Sequence, residues 1–557
     1  MNFSSIKSVL FSRYGAAAAL FVFLLYAFLH SVTTPATSSK TALPQEIKEV
    51  AALCSAKNTG PFDGKVLYQC VFDDLMQRDL SILDPAQRAS FSKWQHRYDN
   101  TDDLNTREGT YKAISKMVAD LGEMHTAFLP PNAFQALVEE MESQLVGIGM
   151  PATRLGAQSL KDGLGANPSH EAQRQAAIIT AETPLVVYPA PIAGTPAAEA
   201  GLQLGDRISA VNGKPTIGRP FGAVVNEIRG KEAGTTVELT VERPNGNGFT
   251  ELNFVVTRTK VQVPQIFVSE LAPGYLNVKI LAFTKTTSRE FVDAVYKACT
   301  GQTLPMDGKA VLDVIKNYVP ERDCKLKGIV YDLRSNPGGV MPLDMAEAIV
   351  DQGPLITMLE RQGDRIIENR DLVDSGHHIQ ETLVNGSLVK RNDKLPRMFR
   401  IVPNGLPQVV IVNRDSASAS EIFAGILQKN NVVTVVGEPS FGKEVSQRVI
   451  PLAFGTGVKI TFSRFLPAGE SLGVGIIPDF PLAQSKAFLD NPLAATDAQL
   501  EKAREVLLQG AEALKAAHTP EALAARSRLA EETVAVHAAR DKRLFARIRG
   551  EEIQVEQ

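Results

Sequence analysis

Two stretches of the chain carry residue types able to do covalent chemistry. One reads Asp415-Ser416-Ala417-Ser418-Ala419-Ser420-Glu421, and the other reads Gly437-Glu438-Pro439-Ser440-Phe441-Gly442-Lys443. A serine at the start of a helix has backbone N–H groups beside it that can hold an oxyanion, and a neutral lysine can take its hydroxyl proton. The chemistry implied is nucleophilic attack by serine with lysine as base. The elements between the two stretches suit that task. Ile422, Phe423, Ile426 and Leu427 follow the serines at helical spacing, residues 432–436 form a short apolar strand, and a glycine turn then delivers Lys443.

Other readings compete. The three serines could simply cap the helix by satisfying its orphan N–H groups, and Lys443 could be an ordinary surface lysine. The run from Gly437 to Lys443 also fits G-x-x-x-x-G-K after a strand, as a phosphate-binding loop would. Such a loop needs Ser or Thr next to hold magnesium, whereas Glu444 stands there and would repel phosphate. The chain has eight histidines, none in either stretch, and His377 with His378 is the histidine alternative. No H-E-x-x-H or paired-cysteine spacing points to a metal, and no cofactor is implied.

Four motifs, in order, narrow the choice. Gly328-Ile329-Val330-Tyr331-Asp332-Leu333-Arg334-Ser335-Asn336-Pro337-Gly338-Gly339 precedes the serine stretch, and Gly475-Ile476-Ile477-Pro478-Asp479 follows the lysine stretch. Together the chain resembles the carboxy-terminal processing proteases, also called tail-specific proteases, over about residues 100–510. The resemblance implies Ser418 as nucleophile and Lys443 as general base, with Gln447, one helical turn beyond the lysine, orienting that base. It places the oxyanion hole at the backbone N–H of Ala419 and that of Gly338 or Gly339. Two positions depart from the family. Lys429 stands where many members have an aspartate, which favours a Ser-Lys-Gln arrangement, and Glu444 replaces the usual glycine. A Glu444 carboxylate near Lys443 would raise the lysine's pKa and oppose activity.

A lysine with a solution pKa of about 10.4 is almost wholly charged at neutral pH. Lowering that value to about 7 requires roughly 4 to 5 kcal/mol of desolvation, so the site should be apolar around Lys443. Phe441, Val445 and Val449 are the nearby walls.

The chain of 557 residues has room for three or four domains, and its net charge of −3 gives no reason to expect nucleic acid as a partner. Its four cysteines fall into two local pairs, Cys54 with Cys70 and Cys299 with Cys324, which fits two disulfides in an oxidising compartment; in a cytosolic chain they would instead be buried thiols. Lys7 and Arg13 precede an apolar run at 15–29, the pattern of a signal peptide or of a membrane anchor over 14–32. The body would then lie in a bacterial periplasm, touching membrane only through that segment.

The organisation expected is mixed α and β, multidomain. A leader at 1–31 and a Ser/Thr/Pro-rich linker at 32–43 precede a helical region at 44–141, with helices at 46–53 and 109–121. The segment from His125 to Pro131 resembles the family's stretch before its PDZ module, which makes His125 structural. A PDZ-like domain at 142–262 would grip a terminal carboxylate at Gly147-Ile148-Gly149, with Arg229 as a further substrate-sensing candidate and a loop insertion between Arg154 and Thr180. The crotonase-like α/β protease core implied by the family occupies 263–495, with insertions at about 300–326 and 363–405, the second of them polar. A helical tail at 496–557 carries apolar stripes at Leu500, Ala503, Val506 and Leu507 and at Leu523, Leu529 and Val534. Expected partners are proteins with unstructured C-terminal tails, and a second copy or an adaptor through the helical ends. The rivals are a catalytically degenerate PDZ scaffold and a protease active only with a partner.

Overall fold

The computed structural model of the chain describes residues 54–55 and 60–549, apart from 84, 124, 142–143, 157–158, 160–174, 247, 306–307, 364, 375 and 397–398. The expected leader, linker, helix at 46–53 and most of the insertion after Arg154 lie outside the described residues. Among the described residues no helix is long and apolar enough to cross a membrane.

The core is a six-stranded sheet ordered Ile266–Ala272, Tyr275–Ile280, Gly328–Asp332, Gln408–Val412, Thr434–Gly437 and Phe480–Pro481. After the first antiparallel hairpin every pairing is parallel. Gly328–Asp332 and Gln408–Val412 are buried along their whole length, which is why they read as unbroken apolar runs. One face packs on Thr287–Thr300 and Ala419–Lys429 through Phe291, Tyr331 and Phe423. The other face packs on Ala498–Gln509, whose Ala503, Val506 and Leu507 meet Val330, Val409, Ile411 and Val436. The first apolar stripe of the expected tail is therefore a layer of this core.

A seven-stranded sheet is built on the long strand Gly457–Pro467, which pairs with Val445–Pro451, Gly353–Gln362 and the short Ala127–Leu129. The last pairing ties the N-terminal helices to the rest of the chain. Their apolar cluster, centred on Leu67, Phe72, Ile114 and Met117, reaches Leu452, Val458 and Ile460. The polar insertion at 363–405 proves to be three strands, Arg365–Asp374, His377–Val384 and Ser387–Pro396, that extend this sheet. The PDZ-like unit is a separate sheet with its own core, built on Leu185–Val187, Arg207–Val211, Thr236–Pro244 and Phe249–Thr257. Cys54 is bonded to Cys70 and Cys299 to Cys324.

The second stripe of the tail is corrected by the structure. On the helix Pro520–Arg549, Leu523 and Val534 are exposed, while Thr533 is buried and Arg526 reaches Asp479 at 2.7 Å. Of the expected stripe only Leu529 is half-buried, and the Arg526–Asp479 pair adds a polar tie to the core.

The His378 ring is committed to two carboxylates. It stands in the seven-stranded sheet, 2.8 Å from Asp371 Oδ1 and 3.3 Å from Glu347 Oε2. Burial alone would lower its pKa, but the two carboxylates outweigh that and raise it to about 9. A folded pKa above the ordinary value of about 6.5 means stabilisation that is complete below pH 6.5 and lost as pH rises through 9. His378→Gln should therefore cost about 3 kcal/mol at pH 6, progressively less as pH rises from 6.5 to 9, and little above pH 9. Paired melting curves across that range would test it, and a gap that ignores pH would contradict the ion triad.

Candidate active site

Three parallel strands of the core aim their C-terminal ends at one place, where open α/β sheets bind their ligands. Gly328–Asp332 leads to Gly338 and Gly339, Gln408–Val412 leads to Ser418, and Thr434–Gly437 leads to Lys443.

The serine triplet divides its labour. Ser416 and Ser420 are fully buried and spend their hydroxyls on the carbonyls of Leu333 and Asn336, each at 2.9 Å. Ser418 is half-buried at the helix N-cap, with φ 56° and ψ −113°. A non-glycine residue held at positive φ costs about 1–3 kcal/mol and persists only where its surroundings impose it. Here Ala417 N–H is fixed by Asn336 O at 3.0 Å, and Ser418 N–H by Glu421 Oε2 at 2.7 Å.

Glu421 was not singled out from the sequence, yet it organises the site. Its buried carboxylate accepts from Ser418 N–H, from Ser440 Oγ at 2.5 Å, from Gly442 N–H at 2.6 Å and from Lys443 N–H at 2.9 Å. One side chain thus holds the Ser418 turn and the Lys443 loop in register. Burial raises its pKa to about 7 against the pull of these donors. A serine followed three residues later by glutamate before an apolar run is the capping-box signature, and it was the available signal.

Lys443 Nζ donates to Gln447 Oε1 at 2.7 Å. Gln447 is not one helical turn on. It lies on the strand Val445–Pro451, opposite Thr461, and donates to Thr461 Oγ1 at 3.1 Å. The β-branched Val445, Val449 and Ile450 favour that strand, and the loop at Lys443 curls back to meet it. Burial lowers the Lys443 pKa to about 8, helped by Lys459 and opposed by Glu123 and Glu421. Glu444 does not turn towards the lysine; its carboxylate pairs with Arg464 and accepts Leu472 N–H. Lys429, at the far end of the helix, donates to Ser471 O and pairs with Glu470. No hydrogen bond joins Ser418 Oγ to Lys443 Nζ among the described residues.

The glycines meet the serine's turn. A β-carbon at Gly338, where φ is +98°, would stand 2.8 Å from both Ala419 N and Ser418 Cβ, and one at Gly339 would strike Phe283 O at 1.9 Å. Only glycine allows this approach. Gly338 N–H already donates to Asn336 Oδ1 at 2.9 Å, whereas the Gly339 and Ala419 N–H groups have no backbone acceptor among the described residues. Arg334, beside that turn, is gripped by both oxygens of Asp332 and of Asp497, and Lys279 adds a bond to Asp332. This buried network braces the strand end that carries the glycines.

In the PDZ-like unit Gly149 has φ +75°, and Ile192 N–H and Ala197 N–H donate to the carbonyls of Gly149 and Ile148. A β-carbon at Gly147 would lie 3.8 Å from Arg229 Cγ, so the structure does bring this loop and Arg229 together. Arg229 is exposed and makes no ion pair among the described residues. The strand Ala152–Arg154 pairs with Leu185–Val187 on one side and ends its sheet on the other.

The profile of peptidase family S41 matches residues 306–482, and that of the PDZ domain matches 187–243. A carboxy-terminal-processing protease of Bartonella bacilliformis is 27% identical over 387 residues, covering 68% of this chain and 77% of that protein. The chloroplastic C-terminal processing peptidase of Tetradesmus obliquus is 28% identical over 398 residues, 71% of this chain and 72% of its own length. Among solved structures, a photosystem II D1 C-terminal processing protease aligns with a TM-score of 0.40 and 24% identity, over 76% of this chain and 94% of that one.

Proposed function

Because the chain belongs to the C-terminal processing proteases, serine-type peptidases of family S41 with a PDZ domain, we propose that it cleaves exported proteins selected by their C-terminal tails. The observation that carries this reading is the joint of Ser418, held at positive φ beside the glycine turn, with Lys443, buried and lowered to about 8. Lys443 removes the Ser418 Oγ proton as the oxygen attacks the scissile carbonyl. The oxyanion takes the N–H groups of Ala419 and Gly339. The protonated lysine then gives its proton to the leaving amine, and water hydrolyses the acyl-enzyme. Gln447 orients the lysine throughout. The missing Ser418–Lys443 bond is a resting geometry that bound substrate closes, since such bonds often tighten only in the Michaelis complex.

A substrate tail adds as a strand along Ala152–Arg154, with its carboxylate at Gly147-Ile148-Gly149 beside the unpaired Arg229 guanidinium. Export is supported by Lys7 and Arg13 before the apolar run at 15–29, and by two disulfides. Peptides ending in apolar residues test tail selection. Amidating the terminus, or Arg229→Ala, should raise KM about tenfold and leave kcat nearly unchanged. Equal cleavage of free and amidated tails would remove the PDZ groove from substrate choice.

A further inference from the structure

Lys443 is steadied from outside its own loop. Gln447, which accepts from the lysine, donates to Thr461 Oγ1, and Thr461 Oγ1 donates in turn to Glu123 Oε2 at 2.7 Å. Glu123 comes from the segment that joins the N-terminal helices to the strand Ala127–Leu129, and is separated from Thr461 by 338 positions in sequence. The same carboxylate accepts the N–H groups of His125 and Thr126. Thr461 N–H donates to Thr126 Oγ1 at 3.0 Å, which donates to Asp79 Oδ2 at 2.7 Å. Two polar links thus clamp this segment to the strand behind the base.

The chain of bonds has a direction. An ionised carboxylate only accepts, so the Thr461 hydroxyl gives Glu123 its single proton and keeps a lone pair for Gln447 Nε2. With its amino end committed there, the amide presents Oε1 to Lys443. An N–H of the lysine then donates to Oε1, and the lone pair of the neutral amine stays free for the Ser418 proton. A reversed amide would donate into that lone pair and quench the base.

We propose that Glu123 is a positioning residue for the catalytic lysine, setting the orientation of Gln447 through Thr461. The proposal rests on Lys443 being the base. It makes the N-terminal helical region a working part of the active site. The charged groups facing Lys443 are Lys459 on Gly457–Pro467, Glu421 on the nucleophile's helix and Glu123 itself. Asp79 lies behind Thr126, Glu444 is turned to Arg464, and the His537 ring of the last helix stands against Gly442.

The test is kcat and KM against pH, on the full chain with an apolar-tailed peptide. Glu123→Gln can donate to Thr461 and reverse the chain, so kcat should fall about ten- to a hundredfold with KM unchanged. Losing a carboxylate near Lys443 should also move the acid limb to lower pH, which a purely structural loss would not do. Thr461→Val should lower kcat similarly without moving that limb, and Thr461→Ser should restore it. In a Gln447→Glu background, which has no amide to orient, Glu123→Gln should cost nothing further. Wild-type kcat in Thr461→Val, or additive losses in the double variant, would overturn the proposal. If Glu123→Gln does not fold, the Thr461 pair decides alone. Activity surviving in Lys443→Ala would instead sink the assignment of the base.

Discussion

Ser418→Ala should lower kcat/KM for an unfolded protein substrate by about a millionfold, leaving only the rate that binding and the oxyanion hole sustain. The substitution deletes an atom that chemistry needs and little else, since the turn is held by Ser416, Ser420, Asn336 and Glu421. Lys443→Ala should be as severe. Lys443→Arg should be no better, because a guanidinium keeps its proton at every working pH. The wild-type acid limb should centre near pH 8, with the rate falling about tenfold per unit below it, since only the neutral lysine accepts a proton. Activity rising towards acid pH would be incompatible with a lysine base. Activity retained in Ser418→Ala would exclude the serine.

The second large effect belongs to Glu421. Glu421→Gln keeps the size but turns one of the two accepting oxygens into a donor facing N–H and O–H groups. We expect kcat to fall about a hundredfold, because Ser418 and the Lys443 loop lose their common tether. The pH dependence separates activity from stability. A carboxyl raised to about 7 contributes stability that is full below pH 4.5 and lost as pH rises through 7, because the folded state binds its proton more tightly. The wild type should gain stability relative to Glu421→Gln on acidification while its own activity falls. A kcat within threefold of wild type, with the fold intact, would leave Glu421 an incidental buried acid.

Much of this site could be read without coordinates, for a local reason. The serine run, the glycine pair and Lys443 each sit at a strand end, where short-range rules govern: small residues at a helix start, glycine where backbone approaches closely, an apolar run for a buried parallel strand. The strand Gln408–Val412 and the helix Ala419–Lys429 were legible for the same reason. Residues 365–396 were not, since half-buried antiparallel strands alternate polar and apolar side chains and lack an apolar run. Gln447 was placed on the wrong element, because a four-residue interval fits both a helical turn and a loop that curls back onto a strand.

The sequence by itself singled out Ser418, Lys443, the glycine turn and the order of the elements that carry them, since each is written in neighbouring residues. Only the tertiary structure decided which groups surround Lys443. Glu421 acts on it from the helix Ala419–Lys429, Lys459 and, through Gln447, Thr461 from a neighbouring strand, and Glu123 from the segment after the N-terminal helices. Burial, amide orientation and charge balance are sums over atoms distant in sequence. They acquire values only when the chain has closed around the lysine.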